Sequence, residues 1–336
     1  MSRLRIGTRG SALALAQAGQ VARRLREVEP TTEVELHPIR TSGDERHGEA
    51  DAPTAGDQLG EPAVPAALDA PASDKSRFVK EIEEALLAGE IDLAVHSAKD
   101  VPGLLPRGLA IVAVPERIDP RDALCGAPSL SGLPGSATVG TSSLRRRAQL
   151  LALRPDLRIE ELRGNVDTRL RRLERGEYTA IVLAGAGLAR LAAAADAGAS
   201  KLARRAGTPI PVDEMTPAPG QGCLLLEARS DDARTRSIAE RLTDREALVR
   251  LTAERALVTG LGATCRTPVG GLAELRGGRL ALAAFVGLPD GSVWMRDALE
   301  GTPDKPADLG REVAERLLAA GADELLAAAE AWQPGA

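Results

Sequence analysis

Two stretches far apart in the chain, RIGTRGSALALAQ (5–17) and TVGTSSLRRRAQL (138–150), run through the same order: short strand, Gly-Thr, polar turn, helix. The order repeats in LRIEELRGNVDTRLRRLERG (157–176) and YTAIVLAGAGLARL (178–191). Parallel strands need crossover connections, and the crossover helices come to lie on the faces of the sheet. The pattern therefore predicts an α/β fold, with parallel sheets covered on both sides and two lobes of like construction.

Other segments fill in this plan. LRIGT (4–8) reads as a strand and 11–28 as a helix with Ser11 at its N-cap. EVELHPI (33–39) alternates like a strand, whereas the Ala-, Pro- and Gly-rich residues 49–73 read as a long loop. In 76–90, Phe78, Val79, Ile82, Ala85 and Leu86 fall on one helical stripe. IDLAVH (91–96) and GLAIVAV (108–114) are strand candidates, and 196–219 is a Pro-rich connection. GQGCLLLEAR (220–229) is a further strand, expected to pair back with the first lobe. A helix from Asp244 to about Leu257, three strands (VGGLAEL, RLALAAFVGL, SVWMRDALE) and one closing helix, DLGREVAERLLAAGADELLAA, suggest a small α+β unit. The 336 residues leave room for two or three domains. With aromatics at 1%, Leu, Val, Ile and Ala must fill the cores.

The chemistry gathers at strand-to-helix turns. GTRGS (7–11), GTSSLRRR (140–147) and RGNVDTR (163–169) place hydroxyls and arginines where helices begin. Helix N-termini present free N–H groups, and an arginine fork matches a carboxylate with two parallel bonds. Arg9, Arg145, Arg146, Arg163 and Arg169 thus point to a ligand carrying several carboxylates or phosphates. Nucleic acid is not the expected partner, because net charge is −5 and base-stacking aromatics are scarce. AVHSAKDVP (94–102) ends a buried strand in a polar turn, where Asp100 suits a site of developing positive charge. His96 reads as a hydrogen-bonded residue near the core.

Three cysteines, far apart and without a CxxC, argue against a disulfide framework or zinc ribbon. The three histidines show no metal-ligand spacing, so no metal is expected. The basic start lacks the apolar run of a signal peptide and no 18-residue apolar stretch occurs, so a cytoplasmic protein off the membrane is expected. Cys125 and Cys223 are assigned to packing. Cys265, in LGATCRTPVG (261–270), stands open among four readings: buried filler, nucleophile, metal ligand or attachment point.

Taken in order, IGTRGSALALAQA, AVHSAKDVP, GTSSLRRRAQL, LRGNVDTRL, PGQGC and LGATCRTPVG resemble the porphobilinogen deaminase family, from residue 4 to near the C-terminus. The resemblance implies a transferase of tetrapyrrole synthesis that joins four porphobilinogen molecules head to tail and frees hydroxymethylbilane and ammonia. It implies that Cys265 carries a dipyrromethane cofactor through a thioether, and that Asp100 is catalytic, stabilising an azafulvenium-like cation. Cofactor contacts are implied for Lys99, Ser143, Arg145 and Arg146. Substrate contacts are implied for Arg9, Ser11, Gln17, Arg163, Arg169, Arg190 and Gln221. The implied architecture is two bilobed α/β domains like type II periplasmic binding proteins (1–115 with 221–240, and 120–216) plus an α+β domain (244–332), working as a monomer. The chain departs from the family in its expanded 49–73 segment, in Thr264 where glycine is usual, and in Cys223 where a smaller residue is usual.

Two rival readings remain distinct in kind. A solute-binding or effector-sensing module would bind a carboxylate ligand reversibly, with no covalent adduct and no ammonia. An RNA-binding protein using Arg145–Arg147 would show steep salt dependence.

Overall fold

Strand β1 (Ser2–Arg9) alternates its side chains across the sheet, so Leu4 and Ile6 enter one core together. Helix α1 (Ala12–Val28) lays Ala18, Val21, Ala22 and Leu25 over them at helical spacing. It starts at Ser11, whose Oγ accepts a hydrogen bond from Ala14 N at 3.3 Å. The computed structural model describes residues 2–39, 41, 79–194, 207–264 and 267–333. The expected loop 49–73, Phe78 and Cys265 lie outside these described residues.

The first sheet runs β2 (Thr32–Ile39), β1, β3 (Leu93–Ser97), a late strand β10 (Leu224–Arg229) and β4 (Leu109–Ala113). Helix α2 (Lys80–Leu87) covers its second face, burying Ile82, Ala85 and Leu86 against Ile91 and Ala94. The second sheet runs β7 (Arg158–Glu160), β6 (Thr138–Gly140), β8 (Ala180–Ala184), β5 (Asp122–Cys125) and β9 (Thr208–Pro209). Helices α3 (Leu144–Leu153), α4 (Val166–Glu174) and α5 (Gly185–Ala194) flank it. The two sheets share one order, second-first-third strand and then the strand that follows a crossing between the lobes, the paired-lobe plan that the motifs implied.

The strands that follow the crossings correct the expectation of parallel sheets. β10 is antiparallel to β3 and β4, and β5 is antiparallel to β8. Each arrives across the gap between lobes, so it enters its sheet from the opposite end to the strands that a local helix returned. The two crossings touch: Ile118 N donates to Gly222 O at 3.4 Å and Arg117 Nε to Gln221 O at 3.0 Å. At Gly222 (φ +88°) a Cβ would lie 2.4 Å from Ile118 O, so only glycine lets the crossings come this close.

Beyond helix α6 (Ala233–Glu240), α7 (Arg245–Gly260) leads into an antiparallel meander of β11 (Val269–Arg276), β12 (Arg279–Gly287) and β13 (Trp294–Gly301). Leu257, Leu280, Leu282, Val286, Val313 and Leu317 are among the residues of its core. The closing helix is two helices, α8 (Pro306–Ala319) and α9 (Ala322–Ala331), because Gly321 takes a left-handed φ of +93° and ends the first run. The short strand β5 and helix α6 also go beyond the elements read from the sequence.

A cleft of guanidinium groups

The motif turns converge where the crossings meet. Ser143 caps α3, its Oγ 3.4 Å from Arg146 N, and this start holds Arg145 and Arg146 on the buried side of the helix. Both reach Asp122, the first residue of β5. Arg145 Nη1 stands 2.8 Å from its Oδ2, while Arg146 Nε and Nη2 donate to Oδ1 at 3.0 and 2.8 Å. Arg145 also donates to Thr216 O, and Arg146 to Val182 O. Burial pushes the Asp122 carboxyl up, but the guanidiniums of Arg145 and Arg146 outweigh it and hold the group well below the usual carboxylate range. Burial also makes the charge on Arg145 harder to keep. Two cations share one anion here, and each guanidinium has five N–H donors, so donors are left over.

Gln221 carries this network into the first lobe. Its Nε2 donates to Asp122 Oδ1 (2.9 Å) and Pro120 O (2.7 Å), and its Oε1 accepts from Lys99 Nζ at 3.4 Å. Lys99 and Asp100 lie on a single 3₁₀ turn, Ala98–Asp100, that directly follows β3. The crossing packs tightly on that turn: a Cβ at Gly220 would lie 3.0 Å from Lys99 N. One face of the Asp100 turn is therefore set by glycine in PGQGC.

From the second lobe, Arg169 comes within electrostatic reach of Asp100. Its Nε donates to Gly164 O at 2.7 Å, fixing it near the start of α4. Burial pushes its pKa down to about 10. Arg146 adds to that effect, the Asp100 carboxylate opposes it, and Arg163 adds again. Arg169 is thus within electrostatic reach of Asp100 from the first lobe and of Arg146 and Arg163 from its own. Arg163 is exposed and donates from Nε to Glu161 at 2.8 Å.

The remaining expected residues are spread more widely. Gln17 is buried, its Nε2 donating to Ser97 Oγ at 2.9 Å just ahead of the Asp100 turn. Arg190 is buried at the crossing, with Nη2 donating to Gly222 O at 2.8 Å and Nε without a hydrogen-bond acceptor. Burial pushes it down to about 10. Arg9 ends β1 and Ser11 caps α1, beside the place where Leu13 meets Gly187 of α5. Thr264 and Thr267, on either side of the Cys265 position, hydrogen-bond to each other, and Thr264 Oγ1 donates to Glu330 of α9. Burial pushes the thiols of Cys125 and Cys223 up to about 12, in keeping with packing roles. His96 is buried, with Nε2 3.1 Å from Glu227. No group of three or more His, Cys, Asp and Glu among the described residues has a metal-binding arrangement, and no helix there is long and apolar enough to cross a membrane.

Sequence reasoning missed Asp122, Arg117 and Glu254. Glu254 is buried on α7, accepts from both Arg117 Nη atoms (2.5 and 3.2 Å), and takes Gly220 N and Ala273 N as further donors. The available signals were an acid opening the apolar run DALC and a lone glutamate among the apolar positions of α7.

Residues 4–237 match the family model described as porphobilinogen deaminase, dipyromethane cofactor binding domain, and residues 248–319 match the C-terminal domain of the same family. Porphobilinogen deaminase of Thermus thermophilus is 45% identical over 325 residues, covering 96% of this chain and 97% of its own. That of Deinococcus radiodurans is 44% identical over 331 residues, covering 98% and 99%. That of Roseiflexus sp. is 45% identical over 327 residues, covering 96% and 98%. With both domains matched and nearly the whole length shared, the chain belongs to the porphobilinogen deaminase family.

Proposed function

We propose that this chain is a transferase that builds linear hydroxymethylbilane from four porphobilinogen molecules, with loss of ammonia, on a dipyrromethane joined by a thioether to Cys265. The donor set fits such a group. Asp122 answers one of the two charges on Arg145 and Arg146, Arg190 has a buried donor to spare, and Arg169 lies among like charges. Carboxylates supply what each of these lacks. When bound, the dipyrromethane supplies the pyrrole end to which the first substrate is joined.

Each residue then has a task. Arg145, Arg146, Ser143 and Lys99 hold the cofactor's carboxylates. Arg9, Ser11, Arg163 and Arg169 take those of substrate and growing product. Gln17, Arg190 and Gln221 steady the walls through Ser97, Gly222 and Asp122. The Asp100 carboxylate orients pyrrole N–H groups and balances the positive charge that forms on substrate as ammonia leaves. What supports the reading is that Arg169 of the second lobe lies within electrostatic reach of Asp100 from the first lobe, as well as of Arg146 and Arg163.

The domains of this reading are 1–115 with 221–240, 120–216 and 244–332. Because one chain supplies every residue named, we take the working unit to be a monomer needing no nucleic acid or membrane. The free, buried thiols of Cys125 and Cys223 suit a cytoplasmic setting.

Intact mass tests the reading most directly. The purified chain is expected to exceed its amino-acid mass by two linked pyrroles, and Cys265→Ser is expected to lose both that increment and turnover. A native chain of bare amino-acid mass that still makes bilane overturns the proposal.

A further inference from the structure

The turn bearing Asp100 is gripped from outside its own lobe. Arg255, on α7, donates from Nη2 to Pro102 O at 2.7 Å and Gly103 O at 2.9 Å, and from Nη1 to Val101 O at 3.4 Å. These are the three carbonyls that follow Asp100 in sequence. One helical turn further along α7, Thr259 closes on the same segment, since a Cβ on Gly103 would lie 2.9 Å from its Oγ1. A guanidinium with planar N–H donors can tie several carbonyls at once, which an ammonium on a flexible stem does less well. Charge underneath supports the arrangement. Burial lowers the pKa of Arg255, and the buried carboxylate of Glu227 on β10 works against that loss. Glu227 is in turn 3.1 Å from His96, three residues after which comes Lys99.

We propose that Arg255 is a positioning residue for the coupling reaction, setting where the Asp100 carboxylate stands. The proposal rests on the reading of Asp100 and Cys265 given above. Helix α7 ends at Gly260, and the chain continues through Thr264 to Cys265, so the helix that holds the carboxylate's turn also leads to the tether. Arg255 touches the backbone after Asp100 and acts through it. Reactions between held partners lose rate steeply when one partner shifts by an ångström, even without loss of binding. A fault at Arg255 should therefore fall on kcat and leave KM alone.

The test uses the loaded full-length enzyme. Arg255→Ala is expected to carry its full dipyrromethane mass and melt within a few degrees of wild type, with kcat about 10- to 100-fold lower and KM for porphobilinogen within about twofold. Arg255→Lys is expected to recover part of that rate. In an Asp100→Glu background, where the carboxylate is already displaced, Arg255→Ala should cost less than about threefold, because the two residues act on one geometry. Equal losses in both backgrounds, an unchanged kcat, or a loss that only tracks the unloaded fraction overturns the proposal. If Arg255→Ala does not accumulate as loaded protein, Arg255→Lys decides: a several-fold fall in kcat at unchanged KM supports it, and wild-type kcat overturns it. Asp100→Asn separates the two levels. Near-normal turnover in that variant removes the underlying reading, whereas strong loss there with an indifferent Arg255 removes only this inference.

Discussion

Asp122 shows most clearly what a single residue does here. Its carboxylate neutralises half of a buried pair of guanidiniums and accepts from Gln221, so it ties both lobes to one point. Asp122→Asn keeps the shape and leaves two buried cations unanswered, a change that costs on the order of 3–5 kcal/mol. The pH dependence has a definite sign. The folded carboxyl lies below its unfolded value, so its stabilisation is full above about pH 4 and is lost as pH falls through the folded value. The gap between wild type and Asp122→Asn in urea unfolding should hold steady from pH 8 to 5 and narrow below about pH 4. A gap that widens in acid would contradict this. Asp100 and the arginines could be proposed from the sequence because turns at strand ends expose such groups. Asp122 was not, because RIDPRDALC reads as a surface turn until β5 is seen inside a sheet. A role for Cys265 could be proposed only through the motif around it, since a lone thiol on a bend has several physical uses.

At the level of elements, the crossing segments matter more than the helices. Gly222 combines a left-handed φ with backbone 2.4 Å from where a Cβ would stand. Gly222→Ala should cost about 2 kcal/mol or more, seen as a melting temperature lower by several degrees. A variant as stable as wild type would show that the crossings are looser than described. Helices α1 and α7 could be bounded from sequence by their caps, Ser11 and Asp244, each accepting a backbone N–H three residues on. Strand direction could not be read that way. Periodicity says which face is buried, but whether a strand arrives from a local helix or from a distant lobe is settled by chain path. The break at Gly321 was hidden for a related reason, since the alanines and leucines on both sides continue a helical pattern across it.

For the whole molecule, the first lobe is completed only by a strand from late in the chain, and this has a bearing on how the protein is made. β10 sits between β3 and β4, so the first sheet has a gap in its middle until residues 224–229 exist. A fragment ending near residue 200 should accordingly lack cooperative unfolding by circular dichroism, and a sharp two-state melt for it would contradict the point. During synthesis at ordinary rates, the amino-terminal layers must wait on the order of ten seconds for their missing centre. Until then β3 and β4 offer bare strand edges to whatever else is in the cell, so nascent chains of this protein should be frequent clients of ribosome-bound chaperones.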